Sequence, residues 1–263
     1  IFITACLSKT LISSADNFPL VTIENTQSIA IESSINQQKY NLHIALPSHY
    51  GESDQQYPTL YLLDANNDFP LLVSMARRLY NENNLDPIII VGISYPQKPW
   101  HYRIADYTPT AISRDAHSGK ADEFIKVIEK EIIPLIDKNY QTNTTSRTIA
   151  GHSLGGLFSS YLLIKDSSTF NQHIISSPSM WWDDFNTFSF AQDKYVNSRK
   201  VFISVGGLEG KHMKTSANKL ADFITKNQKM TTLKKIKLEQ QDHGNAKFRA
   251  YAEALQWMFK GKE

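Results

Sequence analysis

The stretch RTIAGHSLGG, residues 147–156, sets a serine between two glycines, after an apolar run and before a helical pattern. Gly151, Ser153 and Gly155 fit the pattern G-x-S-x-G, which holds a nucleophilic serine on a tight turn between a strand and a helix. The glycines leave room for the two elements to cross, and the helix directs its N-terminal amides at the reacting centre. The stretch therefore predicts a nucleophile, Ser153, at the edge of a sheet. The alternative interpretation is an ordinary glycine-rich loop.

Strand-like and helix-like patterns alternate on both sides of this turn. The run at residues 88–93 is apolar and largely β-branched, as in a central parallel strand that is buried on both faces. The clearest helical stripe covers residues 121–138, where Pro134 should kink the helix or end its regular part. The alternation predicts an α/β protein with the α/β-hydrolase fold: one doubly wound, mainly parallel sheet of about eight strands flanked by helices, in a single domain at residues 16–263. The remaining strand-like runs are residues 40–46, 59–63, 148–150, 173–176, 201–205 and 234–238, and the remaining helical patterns are residues 69–80, 154–165, 217–226 and 245–260.

The charge and composition argue against several classes of protein. The 263 residues carry 28 Lys and Arg against 26 Asp and Glu, a formal net charge of +2. So small an imbalance argues against nucleic acid or an anionic membrane surface as a partner. Cys6 is the single cysteine, so it cannot form an internal disulfide, and no Cys/His cluster has the spacing of a zinc site. The sequence implies no metal or organic cofactor, and it does not specify an oligomeric state.

Residues 1–15 differ from the rest of the chain. They are mostly small and apolar, contain no acidic residue, and end just before Asp16. This composition predicts the remnant of a secretory signal peptide, and hence a periplasmic or secreted bacterial protein. Residues 3–6 also resemble a lipobox, in which Cys6 would carry lipid. The alternatives for residues 1–15 are a buried strand or a disordered extension. Elsewhere in the sequence, no apolar stretch approaches the length of a membrane span.

A serine nucleophile needs a base within hydrogen-bonding distance. In this type of fold the base is a histidine that follows both the nucleophile and the acid along the chain. His243 lies in Gln-Asp-His-Gly, after the last strand-like run and before the final helical pattern, where this histidine is expected. His212 competes for the role, but it comes early and sits in a lysine-rich segment. We therefore predict that His243 is the base; otherwise it is a surface loop residue.

Glu209 is the predicted acid. It follows the strand-like run at residues 201–205, at the loop position expected for the third member of a catalytic triad. Its carboxylate would hold the imidazole in one tautomer and stabilise the imidazolium. The alternatives are a surface carboxylate without a role, or a Ser-His dyad with no dedicated acid. The other carboxylates considered are Asp242, Asp183 and Asp184.

A tetrahedral intermediate of ester cleavage needs two amide donors, which form an oxyanion hole. One should be the N–H of Leu154, the residue after the nucleophile. The other should come from the loop after residues 59–63, and within Asp-Ala-Asn-Asn we favour the amide of Asn66. The alternative is that this loop is only a polar strand end.

Two segments are candidate walls for a substrate. The motif Ser-Pro-Ser-Met-Trp-Trp ends in Trp181 and Trp182 and follows a strand, at the sheet edge where ligands bind in such folds. Paired tryptophans offer a flat apolar surface for aromatic or sugar rings, although either one could instead pack in the core. Arg103 follows the strand-like run at residues 88–93. It could hold a substrate carbonyl or anionic group, or it could pair with Asp106 to fix the loop.

Taken together, these segments resemble the Putative esterase family, which is esterase D-like and includes bacterial enterobactin and salmochelin esterases. The resemblance runs from about Tyr40 to the C-terminus. As an ordered set, its motifs are far more specific than G-x-S-x-G alone. The matching motifs are residues 61–64, Arg103 with residues 106–109, residues 132–137 with Tyr140, residues 147–156, residues 177–182 and residues 242–244.

The resemblance implies an α/β-hydrolase without a large separate lid, which cleaves esters through an acyl-enzyme. In the periplasmic siderophore esterases of this family, which open a cyclic trilactone, an arginine at the position of Arg103 helps to hold the substrate. Some of those members rely on a Ser-His dyad. The sequence Asp64-Ala65-Asn66 departs from the Asp-Gly of many relatives, which leaves the second oxyanion donor open.

The same family also contains feruloyl and acetyl-xylan esterases, thioester hydrolases and mycolyltransferases. The resemblance therefore predicts a serine hydrolase of carboxylic esters, with a siderophore trilactone or a carbohydrate acyl ester as its small-molecule substrate. Two other functions stay open: an acyltransferase, and a non-catalytic ligand-binding protein on a hydrolase scaffold. The intact Ser153 and His243 argue against the binding protein, because such a protein needs no nucleophile.

Overall fold

Eight strands form one sheet at the centre of the computed structural model, which describes residues 21–96 and 100–260. The strands are β1 (Thr26–Glu32), β2 (Lys39–Ala45), β3 (Tyr57–Leu62), β4 (Ile89–Ser94), β5 (Thr142–His152), β6 (Gln172–Ser176), β7 (Arg199–Gly206) and β8 (Thr231–Leu238). They lie in the order β1-β2-β4-β3-β5-β6-β7-β8. Strand β2 is antiparallel to β1 and β4, and every other pair of neighbours is parallel. The predicted mainly parallel sheet is confirmed, while the predicted signal peptide remnant at residues 1–15, with Cys6, lies outside the described residues.

Helices cover both faces of the sheet. They are α1 (Ala65–Asn81), α2 (Trp100–Tyr107), α3 (Ala121–Val127), α4 (Ile133–Asn139), α5 (Leu154–Ile164), α6 (Lys211–Asn227) and α7 (Ala246–Phe259). Helices α1 and α7 pack on one face, and α2 to α6 pack on the other. In β4, Ile89, Val91 and Ile93 face the second group of helices, whereas Ile90 faces the first. Side chains alternate along a strand, so a strand covered on both faces is apolar at nearly every position.

The helix at residues 121–138 is divided, as was predicted from the position of Pro134. Helix α3 ends at Val127, a π-helical turn covers Ile128–Ile132, and α4 begins at Ile133. Pro134 has no N–H to donate to the preceding turn, so the regular hydrogen-bond ladder cannot continue through it. It lies instead in the first turn of α4, where helices tolerate proline.

Two elements were not predicted from the sequence. Strand β1 pairs with β2 at the edge of the sheet, and α2 occupies a segment that was expected to be a loop. Helix α2 has only eight residues, too few for a clear helical stripe, and its second half is buried in the core. Over the described ranges, no helix combines the length and apolar character that a membrane crossing requires.

The carboxyl ends of the parallel strands meet at one edge of the sheet. The segments that follow β3, β5, β6, β7 and β8 carry Asn66, Ser153, Ser177, Glu209 and His243, respectively. Ligands bind at this edge in open α/β sheets. The topology therefore collects residues that are far apart in sequence on one side of the molecule.

Candidate active site

The turn at Ser153 joins the end of β5 to the start of α5. Ser153 has φ 60° and ψ −116°, a strained backbone conformation for a residue that carries a side chain. A Cβ at Gly151 would lie 2.4 Å from the carbonyl carbon and oxygen of Gly155, so any side chain there would force the strand and the helix apart. The N–H of Ser153 donates to the carbonyl of Ser176 on β6 (3.0 Å). The turn is thus closed by glycine and tied to the neighbouring strand, with Ser153 half-buried at the sheet edge.

Ser153, His243 and Glu209 form one hydrogen-bonded chain. Nε2 of His243 lies 3.0 Å from Oγ of Ser153, and Nδ1 of His243 lies 2.7 Å from Oε2 of Glu209. An ionised carboxylate can only accept a hydrogen bond, so Nδ1 carries the proton and Nε2 is left to accept the proton of the Ser153 hydroxyl. The structure thus brings together the three residues that were predicted from the sequence to be nucleophile, base and acid.

Glu209 is held as an ionised carboxylate. Its side chain is fully buried, and Oε1 accepts hydrogen bonds from the Ser177 hydroxyl (2.5 Å) and the Gly206 N–H (2.6 Å). Burial by itself would raise the pKa of Glu209, but the hydrogen bonds from His243, Ser177 and Gly206 outweigh it and lower the pKa below its ordinary value. Glu209 therefore stays charged at neutral pH, as the partner of an imidazolium must.

The other residues considered as base or acid make different contacts. Asp242 accepts a hydrogen bond from a backbone N–H just before α7 (2.9 Å). His212 packs edge-on against the ring of Trp181, with the ring centroids 5.9 Å apart. Asp183 and Asp184 both have left-handed backbone conformations and line a separate cavity beside Trp181. None of these contacts involves the imidazole of His243.

A second histidine, His152, packs against the ring of His243. The two ring centroids are 4.5 Å apart, and Nδ1 of His152 lies 3.1 Å from the Ser176 hydroxyl. Burial lowers the pKa of His152 to about 3, and the neighbouring His243 adds to this shift. His152 is therefore an uncharged packing surface for the imidazole of His243. This role of His152 was not predicted from the sequence, although its position inside G-x-S-x-G was an available signal.

The two predicted oxyanion donors lie at helix N-termini. Leu154 is the first residue of α5, and Asn66 is the second residue of α1. N–H groups in the first turn of a helix have no acceptor within that helix, so they can bind an anion. The Asn66 side chain makes two hydrogen bonds with the backbone of Tyr95. Nδ2 of Asn66 donates to the carbonyl of Tyr95 (2.8 Å), and the N–H of Tyr95 donates to Oδ1 of Asn66 (3.1 Å). The start of α1 is therefore fixed to the residue that follows β4.

Arg103 pairs with Asp64, so the alternative that it pairs with Asp106 is wrong. Nε and Nη2 of Arg103 donate to the two carboxylate oxygens of Asp64, at 2.7 and 2.9 Å. The guanidinium lies 5.4 Å from the ring centre of Tyr107, whose hydroxyl accepts a hydrogen bond from the Asp64 N–H (3.2 Å). Burial would lower the pKa of Arg103, but the Asp64 carboxylate outweighs burial and raises it. The charged side chain of Arg103 therefore fixes Asp64 just before α1, and α1 carries the predicted oxyanion donor Asn66.

Asp106 is unavailable to Arg103 because it faces a buried cluster of donors. Its carboxyl oxygens accept hydrogen bonds from the hydroxyls of Tyr95 (2.8 Å) and Tyr40 (2.9 Å) and from Nε2 of Gln38 (3.3 Å). Burial raises the pKa of Asp106 to about 7, although these hydrogen bonds oppose the shift. The cluster anchors α2 to strands β2 and β4.

Asp106 should make the free energy of unfolding fall as the pH rises from about 4 to about 7. Over this range the unfolded chain has lost the proton of Asp106, whose ordinary pKa is about 3.9, while the folded protein retains it. In Asp106→Asn this contribution is absent. We therefore expect the stability of the variant relative to the wild type to increase by up to about 1.4 kcal/mol per pH unit. Urea unfolding of both proteins at several pH values in this range checks the result, and a difference independent of pH would contradict it.

The two neighbouring tryptophans differ in position. Trp182 is 5% exposed, and its indole N–H donates to the carbonyl of Thr110 (3.2 Å). Its expected role as a substrate wall is therefore corrected to core packing. Trp181 is half-buried, lines a cavity beside Arg114, and directs its indole N–H at the sulfur of Met213 (3.1 Å). Trp181 alone of the pair lies where a ligand can reach it.

A cavity of about 280 Å³ lies beside the turn at Ser153. Its wall holds two ion pairs, Arg103 with Asp64 and Lys247 with Asp68, and the ring of Trp100, which is 62% exposed. Asn66 and His152 also line it. The guanidinium of Arg103 lies 5.1 Å from the ring centre of Trp100. An exposed indole beside two ion pairs suits a ligand that carries both aromatic rings and polar oxygens.

Two serines of the predicted substrate wall contact the hydrogen-bonded chain. Ser177 donates to Glu209, and Oγ of Ser179 lies 3.3 Å from Oγ of Ser153. Both serines are buried. The available signal was the motif Ser-Pro-Ser directly after a strand, at the carboxyl edge of the predicted sheet.

Comparison with known proteins places these residues within one family. Residues 33–260 match the model of the family described as Putative esterase. Ferri-bacillibactin esterase BesA of Bacillus subtilis (strain 168) is 31% identical over 216 residues, which are 73% of this chain and 73% of that protein. The siderophore triacetylfusarinine C esterase of Aspergillus fumigatus is 28% identical over 190 residues, 69% of this chain and 64% of that protein.

The fold agrees with solved structures. The crystal structure of the BES protein from Bacillus cereus superposes with a TM-score of 0.83 at 27% identity, and the match covers 92% of this chain and 97% of that one. The family model spans strands β2 to β8, the seven helices listed above and every residue of the hydrogen-bonded chain. The protein therefore belongs to the Putative esterase family.

Proposed function

We propose that this protein is a serine hydrolase that cleaves carboxylic esters through an acyl-enzyme, with Ser153 as nucleophile, His243 as base and Glu209 as acid. The supporting observation is the unbroken chain of hydrogen bonds, 3.0 Å from Ser153 to His243 and 2.7 Å from His243 to Glu209. A buried carboxylate, an imidazole and a serine in strained backbone geometry are the parts of an activated nucleophile. A ligand-binding protein would have no use for that alignment.

Acylation begins when Oγ of Ser153 bonds to the ester carbonyl carbon and passes its proton to Nε2 of His243. The carbonyl π electrons move onto the carbonyl oxygen, where the amides of Leu154 and Asn66 stabilise the charge. Collapse of this intermediate breaks the carbon–oxygen bond to the alcohol, which leaves with the proton from His243. Glu209 stabilises the imidazolium while that proton is held.

Deacylation repeats these steps with water. His243 accepts a proton from the water molecule as its oxygen bonds to the acyl carbon, and it returns the proton to Oγ of Ser153 as the acid leaves. Transfer of the acyl group to a second alcohol would need that alcohol to outcompete water. Hydrolysis is thus the proposed outcome. If the acyl group were passed to an alcohol, product analysis would find a new ester in place of the free acid.

We propose siderophore esters as the substrate class. Two relatives are named for their action on siderophores, one on ferri-bacillibactin and one on triacetylfusarinine C. The cavity beside the turn at Ser153 supports this class, because the exposed ring of Trp100 and the ion-paired guanidinium of Arg103 can contact an arm that carries aromatic rings and oxygens. Asp64 occupies Nε and Nη2 of Arg103, which leaves Nη1 for a substrate carbonyl or anionic oxygen.

A carbohydrate-acyl esterase is the second candidate. The observation that favours it is a separate cavity in which the ring of Trp181 lies beside Arg114 and the carboxylates of Asp183 and Asp184. An indole face with carboxylates at its edge suits a sugar ring and its hydroxyls.

We also propose that the protein acts in the periplasm or outside the cell, as the composition of residues 1–15 suggests. N-terminal analysis of exported material tests this, and a mature chain that retains Ile1 would contradict it.

An ester panel with product analysis distinguishes the substrate classes. The panel contains ferric and iron-free catecholate trilactones, feruloylated and acetylated xylo-oligosaccharides, and p-nitrophenyl acetate as a control for the chemistry. We expect kcat/KM for the trilactones to exceed that for the sugar esters by about 100-fold or more, because a preorganised site discriminates through its transition-state contacts. A preference for sugar esters would favour the second candidate, and inertness towards every ester would contradict the proposed function.

A further inference from the structure

A buried hydroxyl lies against the proposed nucleophile. Ser179 is 2% exposed, and its Oγ lies 3.3 Å from Oγ of Ser153. Across residues 21–96 and 100–260, this is the one hydrogen bond that the Ser179 side chain makes. The backbone N–H of Ser179 also donates to the carbonyl of Ser153 (3.1 Å). Backbone and side chain therefore hold Ser179 against the same residue.

The direction of this hydrogen bond follows from the number of protons in the chain. The ionised carboxylate of Glu209 takes the proton on Nδ1 of His243, so Nε2 can only accept. The hydroxyl proton of Ser153 must then point at Nε2. Its Oγ offers only lone pairs to other neighbours. Ser179 is consequently the donor and Ser153 the acceptor.

We propose that Ser179 is a further catalytic residue, which donates a hydrogen bond to the reacting oxygen of Ser153; this inference rests on the proposed function. As His243 removes the proton from Ser153, negative charge develops on Oγ. A hydrogen bond to a charged oxygen is stronger than one to a neutral hydroxyl, so the donor stabilises the transition state more than the resting enzyme. That difference accelerates the attack.

The same donor assists the second half of the reaction. When the deacylation intermediate collapses, the bond between Oγ of Ser153 and the acyl carbon breaks, and its electron pair returns to Oγ. Ser179 stabilises that charge until His243 delivers the proton back to Oγ. Loss of the donor should therefore slow both the acylation and the deacylation steps.

The placement of Ser179 matches that of the serine two residues before it. Ser177 donates to Glu209 at one end of the hydrogen-bonded chain, and Ser179 donates to Ser153 at the other. Pro178 lies between them and restricts the backbone that connects the two donors. One tripeptide after β6 thus supplies a hydroxyl to each end of the chain, which simple packing of a buried serine would not require.

Ser179→Ala should lower the rate constant for labelling by a fluorophosphonate probe, and kcat/KM for p-nitrophenyl acetate, by about tenfold. A well-placed oxyanion donor typically contributes about 10²–10³. The distance of 3.3 Å exceeds the usual length of a hydroxyl–hydroxyl bond, so we expect a smaller effect. The loss should appear in kcat rather than KM. The pH at half-maximal kcat/KM should stay that of the wild type, because the contact between His243 and Glu209 is untouched.

Two further variants separate this role from packing. Ser204 on β7 is fully buried, and within the described ranges its hydroxyl has no hydrogen-bond partner. Ser204→Ala is therefore a matched control, which we expect to keep full activity. Ser179→Thr retains the hydroxyl and adds a methyl group, so it should react faster than Ser179→Ala.

Three results would overturn the inference. One is a wild-type rate in Ser179→Ala. Another is a reduced rate with a shifted pH midpoint, which would indicate that His243 had been displaced. The third is a rate in Ser179→Thr that is no higher than the rate in Ser179→Ala. Failure of the proposed function would look different, because Ser153→Ala would then retain hydrolysis whatever residue occupies position 179.

Discussion

Replacing Ser153 with alanine should lower kcat for p-nitrophenyl acetate by about 10⁴–10⁶-fold, the range found when a triad nucleophile is removed. The reason is structural: Oγ of Ser153 is the atom that Nε2 of His243 approaches at 3.0 Å. Without it, the imidazole has no bound hydroxyl to activate, and no acyl-enzyme can form. Burst-phase and steady-state kinetics measure the loss, since the burst should disappear together with turnover.

The control for this variant is a buried serine on α5, the helix that follows Ser153. Ser160 lies two turns into α5, and its hydroxyl donates to the carbonyl of Gly156 (2.7 Å). Ser160→Ala should retain turnover close to that of the wild type. Normal turnover in Ser153→Ala, measured on protein free of wild-type enzyme, would exclude Ser153 as the nucleophile.

Replacing Glu209 with glutamine should lower kcat by about 10³–10⁴-fold, as loss of the orienting carboxylate does in other triads. The amide has nearly the same shape as the carboxylate. Its oxygen should accept the hydrogen bonds from Ser177 and Gly206, which hold Oε1 in the wild type. The NH₂ group would then face Nδ1 of His243 and force the imidazole into the tautomer with its proton on Nε2. That tautomer cannot accept the proton of Ser153.

The exposed carboxylate of Glu239 provides the control for Glu209→Gln. It pairs with Lys237 at the end of β8 (2.7 Å), so Glu239→Gln should leave kcat unchanged. Comparison of the two variants over a range of pH shows whether the loss comes from the tautomer or from a general loss of charge. A loss smaller than about threefold in Glu209→Gln would favour a Ser-His dyad over the triad.

Much of the fold and the three residues of the hydrogen-bonded chain are predictable from sequence because their signals are local. The apolar run of β4 follows from burial on both faces, and the G-x-S-x-G turn follows from the close approach of Gly151 to Gly155. His243 and Glu209 are predictable because each follows a recognisable strand at a fixed place in the order of the chain. In each case a few neighbouring residues carry the information.

Other parts of the site depend on partners distant in sequence. The pairing of Arg103 with Asp64 requires α2, a helix too short to show a periodic stripe. The burial of Trp182, and not of Trp181, depends on which side of a turn faces the core, and adjacent residues of the same type carry no signal of that choice. Tertiary packing decides such positions, and local propensity does not.

The most direct test of the central claim is to locate the covalent adduct of a fluorophosphonate probe by mass spectrometry. We expect a single adduct in the wild type, on the peptide that contains Ser153, and no adduct in Ser153→Ala. Labelling should be slow in Glu209→Gln, because the imidazole tautomer then disfavours deprotonation of Ser153. An adduct on a different residue of the wild type, or a wild type that resists the probe, would contradict the account.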